Sequence, residues 1–455
     1  MIKVKDDLVR VINLAKNNEF QKALRLGKSL QKKIPNSDVL ANTLGIIYRR
    51  LGKFREGRYW SQKAIETNPK FWAAHNNLAR VYHDLGEIEQ SLDIYKKLVS
   101  TQPTYIEGRA NYALALKSIG DYSSSLREYE QIMMIKKSNK VAFHLSLTKL
   151  TLGNFKDGYG EYEARWKADP LSNAVWPIQN RELWEGQDGK KVLLWKEQGI
   201  GDDILFLGLV LEAYKRTKFL TVYTDNRLIS LCERGMPGVV FKPYKNKIDD
   251  KDFDYHLPMG SLPRLFRSDI KDFENTVTGY LKADKERVES LRKELGLGDK
   301  KVVGISWKSI KSLHTQKKSI SLKEFGKLFK DLDIVLLNLQ YGDVDNEIKE
   351  FTNSMGIEVL QCSSVDNRED LDGLAALIEL CDLVVSTSNV TIHLAGALGK
   401  ETWVLLPYVA NFWWLLDRTD SIWYPTLKLY RQKKFQDWIT VPLDVKRDLK
   451  RKFFS

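Results

Sequence analysis

Three prolines, Pro35, Pro69 and Pro103, stand 34 residues apart, and this beat constrains the chain more than any other feature. Glycines follow it as well. Gly52, Gly86, Gly120 and Gly153 are each preceded by Leu or Ile, and Asn18 stands 34 residues before Gly52 in an incomplete first copy. A fixed period of this size marks one supersecondary unit, repeated, that buries its apolar face only by stacking on its neighbours. Each copy reads as two amphipathic helices around the Gly turn, as in Ala73 to Tyr82, then Leu85-Gly86, then Glu89 to Leu98. Gly supplies a C-cap, small and large apolar residues alternate so that helices interlock, and Pro closes the second helix.

The period is that of the tetratricopeptide repeat. A stack of such units forms a curved α-solenoid over 1–170 whose inner face can hold a peptide or a partner protein. His75, Asn76, Asn77, Tyr82 and Asn111 are candidates for that face, with bonding to a neighbouring backbone as the structural alternative.

After Pro170 short β-rich runs alternate with helical stretches, the signature of βαβ units and parallel sheets. Two such segments are expected, 171–298 and 299–455. The first carries strands at Val192–Trp195, Leu220–Thr224, Val239–Pro243 and Tyr255–Pro258, with a helix from about Ile204. The second carries strands at Val302–Trp307, Ile334–Gln340, Ile357–Gln361, Leu383–Ser386 and Thr402–Leu406. Its helices are placed at Leu322–Phe329, Val344–Phe351, Leu371–Leu380 and Thr391–Leu398. The fold class is therefore α + α/β: a helical array followed by two Rossmann-like lobes with a cleft between them.

Ligands of open α/β sheets bind beyond the carboxyl ends of the strands, so the residues that follow each strand carry the chemistry. The first segment offers Gly199-Ile200-Gly201-Asp202-Asp203, where the glycines permit a tight turn and Asp202 or Asp203 serves as a general base or as a helix N-cap. In the second, Ser306 and Lys308 end a strand before a basic loop that reaches Lys318, which suits a diphosphate or a solvated loop equally. Gln340 ends the next strand. Ser388, Asn389 and Thr391 open a helix after a hydrophobic strand, with His393 and Leu394 one turn in. A helix N-terminus of this kind is a ready anion site.

The formal charge of +13 favours anionic partners without choosing among them. Its densest run, Lys446 to Lys452, reads as a solvated helix face. The three cysteines, Cys232, Cys362 and Cys381, lack zinc-finger or disulfide spacing and indicate a reducing compartment. The N-terminus has no signal-peptide core, and no stretch approaches the ~20 apolar residues of a membrane span, so a cytoplasmic protein is expected. No continuous basic stripe with interleaved aromatics is found, which speaks against nucleic acid. Asp252-Phe253-Asp254 precedes a strand and reads as a solvated turn, so no metal is expected.

At these residues the chain resembles tetratricopeptide-repeat proteins whose C-terminal half is similar to the heptosyltransferases, with the bilobal GT-B architecture. The resemblance rests on Tyr162-Glu163-Ala164-Arg165-Trp166, Trp184-Glu185-Gly186, Glu197 to Asp202 and His393 to Gly399. Further matches are Trp403 to Pro407, Trp413 to Arg418, Trp423-Tyr424-Pro425 and Arg431-Gln432. A more distant similarity is to the O-linked N-acetylglucosamine transferases. The resemblance implies inverting transfer from a nucleotide sugar, Asp202 as base, and a diphosphate held by Lys308, Asn389, Thr391 and His393. Ser388-Asn389 stands where heptosyltransferases commonly carry Asp-Thr. The expected acceptor is a protein held by the repeats, with self-association or recruitment of a partner as the competing use. A repeat scaffold carrying a catalytically silent nucleotide sensor is the alternative to an enzyme.

Overall fold

The computed structural model describes residues 2–168, 176–178, 180–309, 319–434, 437–438 and 440–454. Lys318, expected in the diphosphate site, and the basic loop before it lie outside the described residues. Two compact units divide the chain between Leu145 and Ser146. This division precedes the expected boundary at 170, because the last helical pair packs on the α/β part: the Phe155 and Phe273 rings lie 5.0 Å apart.

In the first unit, α1 (Ile2–Lys16), α2 (Phe20–Gln31), α3 (Asp38–Arg50), α4 (Phe54–Thr67), α5 (Trp72–Leu85), α6 (Ile88–Thr101), α7 (Ile106–Ser118) and α8 (Tyr122–Ile135) follow the expected pairs. Each packs on its sequence neighbour, and α1, α3, α5 and α7 also touch in series. The turns explain the 34-residue beat. Gly52, Gly86 and Gly120 sit at φ of 74°, 80° and 81°, a region that costs other L-residues about 1–2 kcal/mol. Asn18, at the matching place in the incomplete copy, adopts φ of 62°. Small residues such as Ala64, Ala74 and Ala79 are fully buried between the helices, Ala79 in one cluster with the large ring of Tyr95.

The second unit begins within α9 (Asn139–Thr151) and continues through α10 (Phe155–Tyr162). Its first sheet contains β1 (Glu182–Leu183), β2 (Lys191–Trp195), β3 (Phe219–Thr224), β4 (Val240–Pro243) and β5 (Tyr255–Pro258), all parallel, in the order β1-β5-β2-β3-β4. Its second sheet contains β6 (Val302–Ser306), β7 (Val335–Asn338), β8 (Val359–Leu360), β9 (Leu383–Thr387), β10 (Thr402–Leu406) and β11 (Leu427–Arg431). These are also parallel, in the order β11-β10-β9-β6-β7-β8, which is the doubly wound arrangement. Strands β6, β9 and β10 are buried along their whole length, as continuous apolar runs between two helical layers require.

The order of strands reverses between β6 and β9 in the second sheet and between β2 and β5 in the first. Their carboxyl ends are the expected ligand crevices. The Lys446–Lys452 run lies on the helix Thr440–Phe454, which buries Val441, Val445 and Leu449 and leaves Arg447, Lys450, Arg451 and Lys452 exposed. Among the described residues no helix is long and apolar enough to cross a membrane.

Candidate functional site

The acidic segment after β2 is helical. The helix Ile200–Leu207 starts earlier than the expected Ile204, with Gly199 as N-cap at φ −72° and ψ 163°, and Asp202 and Asp203 in its first turn. Carboxylates are favoured there by the helix dipole. Neither Gly199 nor Gly201 takes a positive φ, so the turn does not draw on the left-handed freedom of glycine. Gly201 is needed for space instead: a Cβ built on it would lie 3.2 Å from Cδ2 of His393, on the helix Val390–Leu398 of the second sheet. The acidic turn of one sheet thus packs directly on the helix N-terminus of the other. The bulkier Gly201→Val is expected to destabilise the protein by about 1–3 kcal/mol through overpacking against that ring. An unchanged unfolding midpoint in urea would remove this contact from the account.

The two adjacent carboxylates part ways. Asp202 is half-buried, and its charge adds to the upward push that burial gives the Tyr162 and Tyr424 phenols. Asp203 turns into the first lobe. Its Oδ2 accepts from Thr224 Oγ1 at 2.7 Å and from the Asp225 N–H at 3.1 Å, with Lys196 Nζ at 3.8 Å. Burial pushes the Asp203 carboxyl up to about 6, against the pull of Lys196 and these hydrogen bonds. A folded value above the ordinary one means that its contribution to stability is full below about pH 4 and is lost as pH rises through about 6. Asp203→Asn is expected to flatten a decline of roughly 1–3 kcal/mol over that window. Urea titrations at several pH values read it, and a variant with the same pH dependence as the parent would contradict it.

At the reversal of the second sheet the predicted residues converge. Asn389 caps the helix through Oδ1 to the Thr391 N–H at 3.0 Å, and its Nδ2 donates to Ser306 Oγ at 2.7 Å. Thr391 Oγ1 lies 3.4 Å from the same Ser306 oxygen. Gln340 Oε1 gathers Ser306 Oγ, Trp307 N–H and Lys308 N–H at 2.9 to 3.0 Å, which ties the ends of β6 and β7 together. Gln340 is thus bonded to backbone. Ser388 Oγ accepts from Trp414 Nε1 at 3.1 Å, and Leu394 is fully buried in the core. The Lys308 ammonium is paired with Glu347, so a phosphate would have to compete for it.

An aromatic wall surrounds His393. Trp414 stacks 5.9 Å away, Trp413 meets the ring edge-on at 5.7 Å, and Tyr424 Oη lies 3.0 Å from Nδ1. The tryptophans are placed by a strained turn, Leu415 at φ 51°, ψ −165° and Asp417 at φ 51°, where non-glycine residues are costly. Arg431, at the end of β11, holds this turn by donating to the Trp414 and Arg418 carbonyls.

A third constituent was not among the expected site residues. Arg165 and Glu197, 1% and 2% exposed, form a bidentate pair at 2.8 and 2.9 Å. Arg165 also donates to Glu163 and Ser261 and lies over the Tyr162 and Trp166 rings. Gln198 donates to Tyr162 Oη at 2.8 Å. The segment after β2 is therefore gripped from the 162–166 turn. The sequence signals for this are the Tyr162 to Trp166 motif and the Glu197 to Asp202 motif, which hold both partners.

In the helical unit, the asparagines chosen for the inner face bind one another across repeats. Asn77 donates to Asn42 at 2.6 Å and Asn111 to Asn76 at 2.9 Å, which satisfies buried amides and joins α3 to α5 and α5 to α7. His75 lies 2.9 Å from the Pro69 carbonyl.

Residues 61–93 match the tetratricopeptide repeat family. These residues span α5 and parts of α4 and α6, and the neighbouring helical pairs repeat the same glycine turn at the same interval. The chain is 31% identical over 311 residues, 64% of its length, to Protein FlbA of Caulobacter vibrioides, and spans about half (51%) of that relative. Similar solved structures include a thermophilic tetratricopeptide-repeat protein of Thermus thermophilus, at TM-score 0.34 and 16% identity, covering 37% of this chain and 92% of that one. Another is a tetratricopeptide repeat protein of Parabacteroides merdae, at TM-score 0.31 and 20% identity, covering 36% and 65%.

Proposed function

We propose that this protein is a glycosyltransferase of GT-B architecture that moves a sugar from a nucleotide-sugar donor to an acceptor hydroxyl with inversion. The observation that carries the reading is the close packing of Gly201 on His393, where a Cβ would lie 3.2 Å from the imidazole. It brings a half-buried carboxylate, Asp202, beside a helix N-terminus at the reversal point of a doubly wound sheet. A carboxylate at one side removes the acceptor proton, and backbone N–H groups at the other meet the leaving diphosphate. Asp203, folded into its own lobe, leaves Asp202 as the base. Ser306, Ser388, Asn389 and Thr391 shape the anion side. The acceptor is a protein seated on the repeats, since stacked helices present an extended groove.

One observation favours a second reading, a repeat scaffold with a silent sensor: Lys308 is engaged by Glu347, and the polar groups at the end of β6 satisfy one another. A thermal-shift panel of UDP, GDP, ADP and CMP sugars, followed by donor hydrolysis on the hit, separates the two. A rise in melting temperature with hydrolysis supports the enzyme, a rise without hydrolysis supports the sensor, and no rise with any donor contradicts both. Loss of activity on chelation, restored by manganese, would overturn metal independence.

A further inference from the structure

The basic run Lys446 to Lys452 has no part in the proposed transfer. It lies on the helix Thr440–Phe454, whose inner side buries Val441, Val445 and Leu449 in the core of the second sheet. The outer side is not uniformly polar. At about 100° per residue, Leu443, Lys446, Arg447, Lys450 and Phe454 share one stripe that spans roughly 100° of the circumference and runs roughly 16 Å along the axis. Leu443 and Phe454, at its two ends, are 65% and 50% exposed, more than any other large apolar side chain among the described residues of the second unit.

The charge between those ends is positive. The helix carries five cations, Lys446, Arg447, Lys450, Arg451 and Lys452, against two acids, Asp444 and Asp448. Both acids are met from outside the helix, since Lys428 Nζ lies 2.6 Å from Asp448 and Lys433 Nζ lies 3.7 Å from Asp444. Arg447 pairs with the same two carboxylates, and Lys452 with Glu401. Among the described residues Lys446 and Lys450 form no ion pair, so the stripe keeps net positive charge between two apolar ends.

We infer that this stripe is a docking face for an anionic lipid membrane, on which the helix lies flat with its cations among the headgroups and Leu443 and Phe454 at the boundary with the acyl chains. A membrane surface takes both halves of the pattern, because peripheral helices bind through buried apolar area together with attraction to anionic lipid. A nucleic acid would engage the cations and leave Leu443 and Phe454 in water. A specific protein partner needs about 800 Å² on each side. A stripe roughly 16 Å long and about 10 Å wide offers under about 200 Å². The inference does not rest on the transferase reading; it says where the chain works, not what it transfers.

The test is sedimentation of the full chain with vesicles of phosphatidylcholine alone and of phosphatidylcholine mixed with phosphatidylglycerol. Binding is expected to the mixed vesicles only, and it should weaken as salt is added, because salt screens the attraction. Lys446→Gln with Lys450→Gln should lower partitioning roughly 20-fold, about 5-fold for each cation near such a surface. Leu443→Ser with Phe454→Ser should lower it by about 10-fold or more through lost apolar burial. None of the four side chains belongs to the core, so melting should match the parent. A parent that leaves the mixed vesicles unbound would overturn the inference. So would parent-like binding by the serine variant, which marks a face for polyanions of any kind, or retention of duplex DNA through Lys446 and Lys450 while the vesicles sediment alone. The parent decides even if a variant fails to fold, and sugar transfer in free solution is read separately.

Discussion

Asp202→Asn is expected to lower the rate of sugar transfer by about 10²- to 10⁴-fold, the usual contribution of a positioned general base. Folding should be little affected. Asp202 stands in the first turn of its helix, half-exposed, where an amide keeps the shape of the carboxylate. The favourable dipole term at such a site is about 0.3–1 kcal/mol, a small fraction of the stability of a domain. Removing the carboxylate also relieves part of the upward push on the Tyr162 and Tyr424 phenols, which leaves their neutral state unchanged near pH 7. The rate is measured as nucleotide release with the donor identified by thermal shift. A variant that retains more than a tenth of the parent rate, with normal melting, would remove Asp202 from the chemistry.

The largest effect on stability is expected at Arg165. Its guanidinium is buried with Glu197 at 2.8 and 2.9 Å, and the Glu197 charge draws its pKa upward although burial alone would lower it. Arg165→Met leaves the Glu197 carboxylate buried without its countercharge, a loss of about 3–5 kcal/mol. Replacing both, as Arg165→Met with Glu197→Leu, removes the stranded charge and should recover a large part of that loss. Urea unfolding of the two single variants and the double variant gives the coupling directly. If the single substitutions cost less than about 1 kcal/mol, the pair is a bystander.

The helical unit was legible because its turns demand a rare backbone conformation at a fixed interval. The register even assigned Asn18 to a glycine position, and Asn18 takes the left-handed φ. Central strands such as β6 and β9 were legible as continuous apolar runs. The short β1 and the outer strand β11 were not, since two residues carry no periodicity and Lys428 interrupts the second. In the site, Ser306, Gln340, Asn389, Thr391 and His393 could be chosen because residues after parallel strands must gather at one edge. What could not be read depends on tertiary partners. Asp202 and Asp203 are adjacent in sequence, and only the location of Thr224 and Lys196 shows which of them turns inward. Glu347 meets Lys308 from 39 residues away, and Tyr280 reaches the Ile204 carbonyl in the Asp202 helix from the segment between the sheets.

The central claim is that the turn carrying Asp202 and the helix carrying His393 form one site for sugar transfer. Its most direct measurement is turnover of the stabilising nucleotide sugar by the full chain, with product configuration followed by proton NMR. The account predicts release of the nucleotide together with a product of inverted anomeric configuration, both suppressed in Asp202→Asn. Retained configuration, or equal turnover by parent and variant, would contradict it.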